Sequence, residues 1–345
     1  MNIELITTPN EELKESGFGS LKSCQNVLKC IINMGHNSRL NICKTKSDLK
    51  KIVKRKPDLV ILAVKYLSIE KENNIWLCEY FEKHKINYTG SSMNALKFDS
   101  DKVFAKQHLK KIGIKTANFF TALLNEYKTE KDLPIAFPLF LKPIDAANGN
   151  GIDDLSYVCS FEQFESKVLS LHNTYKLPVL VEEYLDGKEF TVSLIQRQNE
   201  ELIVSPIEII PIVSTNGLRI LGEKAKKDDT EELRKIQDNN MFLKLKELAT
   251  EAYIGLGIRD FGRIDIKTNQ QGECFFMEAN LVPRMTQGSS YFSKAHEIEN
   301  DLSYDKVLEL ILTDGLNRIP IKFFDYDAIP CNNTTILEES YPVPI

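Results

Sequence analysis

The chain has 345 residues, of which 42% are hydrophobic and 27% charged, so it is long enough for two or three subdomains with cores of their own. Its net charge is -5 and it has no block of Lys and Arg, which argues against a nucleic-acid partner because phosphate binding needs clustered cations. No stretch has the length and apolar content of a membrane span or a secretion signal, and we therefore expect a cytoplasmic protein with no membrane partner.

The cysteine and histidine patterns indicate neither a disulfide framework nor a zinc site. The seven cysteines are an odd number and include no Cys-x-x-Cys pair. The five histidines lack the His-x-x-x-His spacing of a zinc-binding helix. We expect most of the cysteines to be buried, reduced thiols.

Residues 1 to about 98 alternate apolar strands with a helical pattern. The pattern predicts strands over Met1–Thr7 and Asp58–Val64, with a helix over Leu21–Met34 between them. The second strand is continuously apolar, which is typical of a strand buried on both faces of a parallel sheet, so we predict a βαβ subdomain. The loop Ser16–Ser20 is either a ligand-binding loop or a plain turn in which Ser20 caps the helix.

A further helix is predicted over Asp101–Ile112, with capping oxygens before it and Gly113 at its end. Its expected buried stripe consists of Phe104, His108, Leu109 and Ile112. Lys102 lies in its first turn, where a cation gains nothing from the helix dipole. That lysine is either an ordinary surface residue or is placed to meet an anion.

From Phe137 the pattern is typical of antiparallel β-structure and leads into a glycine-rich loop. Within Pro138–Pro143, Lys142 shares a strand face with Phe140. The loop Ala146–Gly151 can bring backbone N–H groups close to phosphate oxygens. A hairpin turn is the ordinary role of such a loop, but Lys142 just before it favours phosphate binding.

Two glutamates flank a short linker between predicted strands. Glu182 lies near the end of the apolar strand Pro178–Leu185, and Glu189 begins the next strand. Together they can hold a nucleoside, with strand-edge backbone for the base and a carboxylate for the ribose hydroxyls. Taken alone, either glutamate fits a surface position better.

The strongly charged segment 215–240 is predicted to be solvated surface or a lid over a site, since long polar loops in enzymes often cover the substrate. A helix is predicted over residues 240–255 after it. Towards the C-terminus we predict a donor-rich loop over Pro283–Ser290 and a helix over Tyr304–Leu316. The proline-containing tail 319–345 is expected to pack along the surface or to be partly disordered.

Two short strands separated by the polar cluster Thr268–Gly272 predict an antiparallel hairpin. Alternation places Arg263 and Asp265 on one face of the first strand and Glu278 and Asn280 on one face of the second. The apolar face is expected to carry four residues, namely Ile264, Ile266, Met277 and Ala279. The polar face is either a solvated surface with an incidental salt bridge or a set of hard oxygen ligands suited to Mg²⁺.

Taken together, the residues resemble the ATP-grasp ligases, and within them the D-alanine:D-alanine ligase branch. The matching pieces are Tyr88-Thr-Gly-Ser, Asp101-Lys102 before a helix ending in Gly-Ile, Phe137-Pro-Leu-Phe-Leu-Lys142-Pro, Val181-Glu182-Glu-Tyr-Leu185 with Gly187 and Glu189, Gly262-Arg263-Ile-Asp265, and Glu278-Ala-Asn280 followed by Pro283. Their order and spacing, covering the chain to about residue 316, make the resemblance specific.

The resemblance implies an α/β (α+β) fold in which two β-rich subdomains sandwich ATP beside an N-terminal βαβ parallel-sheet subdomain. The implied divisions are 1–98 for the N-terminal substrate subdomain, 99–184 for the central subdomain with the glycine-rich loop, 185–318 for the C-terminal subdomain with lid and metal site, and 319–345 for the tail. The related enzymes also suggest a homodimer.

The resemblance further implies roles for single residues. The nucleotide would contact the phosphate lysines Lys102 and Lys142, the adenine-side residues Glu182, Glu183 and Leu185, the ribose-side Glu189, and the loop residues Asn148 and Gly149. Two Mg²⁺ ions, or Mn²⁺ in their place, would be held by Asp265, Glu278 and Asn280. Arg263 would steady the tetrahedral intermediate, and Lys226, or Lys224 nearly as well, would be the phosphate lysine of the lid.

The departures from the family pattern concern the acyl-donor pocket. Where the D-alanine ligases have a glutamate in the first loop, a serine in the glycine-rich loop and a lid tyrosine, this chain has Phe18 or its neighbours, Asn148 and Lys227. Arg284 stands where a glycine usually follows the proline, and it either grips a substrate carboxylate or is a surface arginine. Ser289 and Ser290 are further candidate substrate residues.

We therefore expect an ADP-forming carboxylate–amine ligase that acts through an acyl phosphate on amino acids or small peptide-like acids, with a pocket diverged from D-alanine. One alternative is a D-alanine:D-alanine ligase of cell-wall synthesis. The other is a catalytically inactive nucleotide-binding regulatory protein, against which the complete set of metal carboxylates speaks.

Overall fold

The structure is a computed structural model. It describes residues 1–9, 17–69, 73–145, 149–197, 201–213, 217–223, 228 and 230–318. The tail 319–345, for which surface packing or partial disorder was expected, lies outside these residues.

The N-terminal part is a parallel three-stranded sheet with strand order β2-β1-β3. Its elements are β1 (Asn2–Thr7), α1 (Leu21–Asn33), β2 (Asn37–Ile42), α2 (Lys46–Arg55) and β3 (Leu59–Leu62). All four residues of β3 are buried, as the continuous apolar run predicts for a strand covered on both faces. The predicted βαβ arrangement is confirmed, with β2 as an additional strand between the two helices.

A short connecting region follows, and it ends in two consecutive helices. Its elements are β4 (Tyr66–Leu67), β5 (Ile75–Trp76), α3 (Leu77–Lys83), α4 (Met93–Ser100) and α5 (Lys102–Lys111). Asp101 caps α5 by accepting a hydrogen bond from the backbone N–H of Phe104, and Gly113 follows with a positive φ of 86°. The predicted position of this helix is therefore confirmed.

The predicted buried face of α5 is wrong at Phe104 and Ile112, whereas Leu109 is buried as predicted. Phe104 is 45% exposed and Ile112 is 50% exposed, and Phe104 stacks on Phe98 of α4 at the surface. The buried residues of the helix are Lys102, Ala105, Lys106 and Leu109. Two lysines four residues apart therefore face the interior, which is possible because both find carboxylates there.

The central part is an antiparallel four-stranded sheet with strand order β6-β9-β7-β8. Its elements are β6 (Phe119–Ala122), β7 (Leu139–Pro143), β8 (Tyr157–Val158), α6 (Phe161–Tyr175) and β9 (Val179–Glu183). The sheet and α6 enclose a small hydrophobic core of their own.

The last part is an antiparallel five-stranded sheet with strand order β12-β11-β10-β13-β14. Its strands are β10 (Glu189–Ile195), β11 (Ile203–Ile210), β12 (Glu232–Lys235), β13 (Phe261–Thr268) and β14 (Cys274–Asn280), and its helices are α7 (Asn239–Gly255), α8 (Tyr291–Asn300) and α9 (Tyr304–Asn317). A large hydrophobic core joins this sheet to the N-terminal sheet. The mixed α/β class is thus confirmed, whereas the exact subdomain limits stay a prediction.

The predicted hairpin of β13 and β14 is confirmed, but its alternation is interrupted. A β-bulge shifts the register between the pair Asp265–Glu278 and the pair Ile266–Phe276, which leaves Met277 as the extra residue. Strict alternation placed Met277 on the apolar face; in the structure it is half-buried and lines the same cavity as Glu278.

Two further expectations concern the cysteines and the membrane. All six cysteines of the described residues are free thiols, and all but Cys159 are buried. Burial raises the pKa of the Cys43 thiol to about 12, which makes it unreactive at neutral pH. Among the described residues, no helix combines the length and the apolar character needed to cross a bilayer.

Candidate active site

Two acidic side chains of the hairpin face each other across its strands. Asp265 pairs with Glu278, and Arg263 pairs with Asn280 two residues along the ladder. Arg263 binds both carboxylate oxygens of Asp265 at 2.9 Å, and Thr191 donates to the same carboxylate at 2.7 Å. Arg263 is 8% exposed, and burial acts to lower its pKa, but the neighbouring Asp265 raises it overall. The guanidinium is therefore fixed in the site with its charge intact.

The donor set of the hairpin fits a hard divalent cation. Asp265, Glu278 and Asn280 offer carboxylate and amide oxygens, which are the ligands that Mg²⁺ takes. Within the described residues, no group of three His, Cys, Asp or Glu side chains converges on one point, so the third oxygen would have to come from the amide of Asn280. The ammonium of Lys102 lies 3.4 Å from Glu278, so this acid already has a cation beside it.

A cluster of three buried charges lies beside the hairpin. Glu182 is 1% exposed and its two oxygens lie 2.5 Å from the ammonium of Lys106 and 2.7 Å from that of Lys142. Burial alone would raise the pKa of Glu182, but the two lysines lower it overall, so the carboxylate is ionised. We refer to Lys106, Glu182 and Lys142 as the lysine-glutamate cluster.

Sequence reasoning identified Lys142 and Glu182 but missed Lys106. The signal was available, because Lys106 lies four residues after Lys102 and so shares its helix face. The burial of Lys106 was not predicted because the apolar stripe runs through Phe104 and His108 and indicates that face as the buried one. A helix is expected to bury aromatic side chains and expose lysines.

The segment between β9 and β10 positions the predicted nucleoside residues. Glu183 accepts hydrogen bonds from the backbone and the side-chain amide of Asn118 at 2.8 and 3.1 Å. Leu185 is buried, and Glu189 accepts from Lys267 at 2.7 Å. Glu189 therefore has a cation beside it, whereas both carboxylate oxygens of Glu183 accept hydrogen bonds from Asn118.

One cavity joins these groups. It lies between the four-stranded and the five-stranded sheets, and its lining includes Lys142, Glu189, Asp265, Lys267 and Glu278. Phe140, Ile152, Phe190, Ile209, Leu221, Ile266 and Met277 complete the lining. Cationic, anionic and apolar walls thus meet in a single cleft, which is the arrangement that a nucleotide with its metal requires.

The glycine-rich loop touches the beginning of the charged segment. Glu223 donates its backbone N–H to Ile152 at 3.1 Å, and a side chain at Gly149 would come within 3.1 Å of the Gly222 backbone. Gly149 also has a positive φ of 74°, so glycine is required there on two grounds. The predicted contacts of Asn148, Lys224, Lys226 and Lys227 lie outside the described residues.

Arg284 lies against the first loop of the chain. Its Nε donates to Thr286 at 3.0 Å, and Thr286 lies 2.5 Å from the hydroxyl of Ser23 in α1. A Cβ at Gly19 would approach Cγ of Arg284 to 3.1 Å. Phe18 is 2% exposed, and its backbone hydrogen-bonds to Ala63 and Met285. The Phe18 side chain therefore belongs to the core, while Arg284 is half-buried beside it.

The two serines of the following loop differ in position. Ser289 is half-buried, and its backbone N–H lies 3.4 Å from the carbonyl of Thr286. Ser290 is 1% exposed and caps α8 by accepting from the backbone N–H of Ser293. The hydroxyl of Ser290 is thus engaged in capping, and of the two only Ser289 keeps the exposure that substrate contact needs.

The chain is similar in sequence to a known family of ligases. Residues 108–313 match the family model described as D-ala D-ala ligase C-terminus. A D-alanine--D-alanine ligase of Aquifex aeolicus is 29% identical over 85% of this chain and 94% of its own length. One from a Marinomonas species is 30% identical over 67% of this chain and 70% of its own length.

Solved structures agree with these matches at the level of the fold. The crystal structure of a D-alanine--D-alanine ligase from Bacillus anthracis complexed with ATP superposes with a TM-score of 0.70 at 20% identity. The alignment covers 92% of this chain and 97% of that protein.

Proposed function

This chain belongs to the D-alanine–D-alanine ligase family of ATP-grasp enzymes, and we propose that it joins the carboxylate of one amino acid to the amine of another through an acyl phosphate, releasing ADP. Membership of the family makes the protein a ligase that forms an amide bond. The observation that carries the proposal is the single cavity on which Lys142, Glu189, Asp265 and Glu278 converge.

We assign the residues of the cavity as follows. Lys142 and Lys102 would bind the phosphates of ATP, Glu189 would bind the ribose, and the Leu185 backbone would contact the adenine. Asp265, Glu278 and Asn280 would hold Mg²⁺, which would supply positive charge to neutralise the transferring phosphoryl group. A substrate carboxylate then attacks the γ-phosphorus, the bond to ADP breaks, and the acyl phosphate forms.

The second step needs a positive charge at the developing oxyanion. The incoming amine adds to the carbonyl carbon of the acyl phosphate, and the tetrahedral centre collapses with loss of phosphate. Arg263 is suited to this oxyanion because its other contacts, to Asp265, hold the guanidinium in one orientation. No side-chain nucleophile is required.

The choice of acyl donor separates two versions of the proposal. The two curated relatives described above are D-alanine--D-alanine ligases, which favours D-alanine as donor and acceptor. Arg284, half-buried between Gly19 and Thr286, favours a donor that carries a second anionic group for the guanidinium to bind. Both versions use the same phosphoryl chemistry.

The test is Mg-ATP-dependent phosphate release across a matrix of D- and L-amino acids and dipeptides, with mass spectrometry of the products. Release with D-alanine alone supports the cell-wall ligase version. Release with another pair, above all one with an acidic donor, supports the diverged pocket. Tight nucleotide binding without release for any pair would favour the regulatory alternative and would contradict the proposed reaction.

A further inference from the structure

Lys106 makes three contacts that no role assigned so far explains. Its ammonium lies 2.5 Å from Glu182, donates to the backbone carbonyl of Phe276 at 3.2 Å, and sits 5.9 Å from the centre of the Phe119 ring. The side chain is 0% exposed. A lysine without any exposure is rare, because burying an ammonium is costly unless several groups compensate for it.

These contacts connect the two sheets that form the cavity. Glu182 belongs to β9 of the four-stranded sheet, and Phe276 belongs to β14 of the five-stranded sheet. Glu278 lies two residues beyond Phe276, and it is itself near Lys102, one turn before Lys106 on α5. Helix α5 therefore places Lys102 beside Glu278 and Lys106 beside Glu182, the acid that also contacts Lys142.

The cluster has a surplus of positive charge. Glu182 is shared by two lysines, so the pairing leaves one positive charge that a single carboxylate does not balance. Lys142 lines the cavity, whereas Lys106 is completely buried behind Glu182. Lys142 is therefore the cation of this cluster that an anion bound in the cavity can reach.

We propose that Lys106 is a positioning residue for nucleotide binding. It engages one oxygen of Glu182 and anchors that carboxylate to the Phe276 carbonyl, so that the second oxygen holds the Lys142 ammonium at the cavity wall. It also shares the charge of Glu182, which leaves Lys142 free to neutralise a phosphate oxygen. This inference rests on the proposed nucleotide site and adds a residue to it.

The titration of Lys106 supports this role. Burial lowers the pKa of Lys106, Lys142 lowers it further, and Glu182 and Glu278 oppose the change. For Lys142, burial also acts to lower the pKa, but Glu182 and Glu278 raise it overall. The charged groups that face Lys106 are therefore Glu182 from β9, Lys142 from β7 and Glu278 from β14. As the pH rises, Lys106 loses its proton before Lys142 does.

The experiment measures the dissociation constant of ADP for the full chain by titration calorimetry. The variants are Lys106→Met, which removes the charge, and Lys106→Arg, which keeps it. The matched control is Arg55→Met, which breaks an equally short contact, 2.5 Å between Arg55 and Glu4, in the N-terminal sheet away from the cavity.

We expect Lys106→Met to weaken ADP binding by about 10- to 100-fold, the usual loss when a supporting partner of a binding residue is removed. Lys106→Arg should stay within about threefold of the wild type, and Arg55→Met should bind ADP unchanged. In turnover assays the Met variant should raise the KM for ATP more than it changes the KM for the amino acid. The wild type should lose ADP affinity at alkaline pH, and the Arg variant should retain it to higher pH.

Equal ADP affinity of the wild type and Lys106→Met overturns the inference while leaving the proposed function intact. A wild type that binds no ADP overturns both. If Lys106→Met does not fold, Lys106→Arg decides the question. If this variant loses ADP affinity at the same alkaline pH as the wild type, the charge of Lys106 does not support nucleotide binding, and the inference is overturned.

Discussion

Two of the buried clusters of opposite charges in the described part of the chain can be compared, because their cations have different surroundings. In the cavity, Lys106 and Lys142 share Glu182. At the junction between the N-terminal sheet and the five-stranded sheet, Asp260 is 4% exposed and accepts from the backbone N–H of Gly90 at 2.7 Å and from Arg318. Both clusters have carboxylates almost without exposure.

The two clusters differ in the groups that their cations contact. At the junction, Arg259 donates to the carbonyls of Gly90 and Tyr88, and Arg318 donates to Tyr88 as well. The guanidinium donors are thus used on backbone groups of another part of the chain. In the lysine-glutamate cluster, Lys142 borders a cavity instead. Buried cations that donate to backbone carbonyls connect parts of a protein, whereas a buried cation that lines a cavity can contact a ligand.

The largest effect should come from the cavity side, at the acid near Lys102. Glu278→Gln keeps the shape of the side chain but removes the negative charge that the proposed metal site needs. We expect turnover to fall by at least about 100-fold, as for loss of one essential electrostatic group in an active site. The free energy of unfolding should change by less than about 1 kcal/mol, because Glu278 is partly exposed. Phosphate release and denaturant unfolding measure the two quantities, and unchanged turnover would remove Glu278 from the metal site.

The junction should show the opposite response. Asp260→Asn keeps a residue that tolerates the positive φ of 66°, but it leaves Arg259 and Arg318 without their counter-charge. We expect the free energy of unfolding to fall by about 3 kcal/mol, as for a broken buried ion pair. The ADP dissociation constant should stay within about twofold below the unfolding transition. A large loss of ADP affinity with normal stability would show that the two clusters do not differ in the way described.

Arg284 combines features of both clusters. Its Nε donates to Thr286, and its side chain also lies beside the first loop of the chain. If Arg284 selects the donor, Arg284→Gly should lower kcat/KM for the preferred donor by about tenfold or more, because a bound charged group loses its partner. D-alanine should gain relative to that donor. A uniform change for every donor would instead place Arg284 with the structural arginines.

The smallest effect is expected for the ion pair of Glu4 and Arg55 in the N-terminal part, which belongs to neither cluster. Burial acts to raise the pKa of Glu4, but hydrogen bonds from Arg55 and Asn41 lower it overall. The stabilisation is therefore present above the unfolded value near 4.5 and is lost as the pH falls through the lower folded value. Arg55→Met should lower the free energy of unfolding by about 1 kcal/mol at pH 7, since Arg55 is partly exposed. It should also weaken the dependence of that free energy on pH in the acid range. An unaltered acid limb would mean that other groups determine it.

Periodicity predicted most of the fold because most elements obey one simple pattern. The fully apolar strand became β3, and the two runs around Thr268–Gly272 became the hairpin of β13 and β14. The facing of Asp265 and Glu278 also followed from alternation. These features depend only on which face of an element is apolar, and that information is local.

The failures occurred where distant residues decide. A lysine stripe on α5 is buried only because acids of β9 and β14 come to it, and no local pattern indicates those partners. The bulge at Met277 breaks the alternation by a single residue without a glycine or proline to mark it. The candidate site residues were thus predicted largely from the family resemblance, whereas the contacts among them required the three-dimensional arrangement.

The separation of the hydrophobic cores has a consequence for how the protein opens. The four-stranded sheet packs on its own small core around Leu139, Leu141 and Phe164, while the two other sheets share the large core. A unit with its own core can unfold without exposing the rest, so the lysine-glutamate cluster marks the boundary between two cooperative units. Amide hydrogens of β7 and β9 should therefore exchange at a lower denaturant concentration than those of β10 and β13. Bound nucleotide should reduce the difference between these two denaturant concentrations.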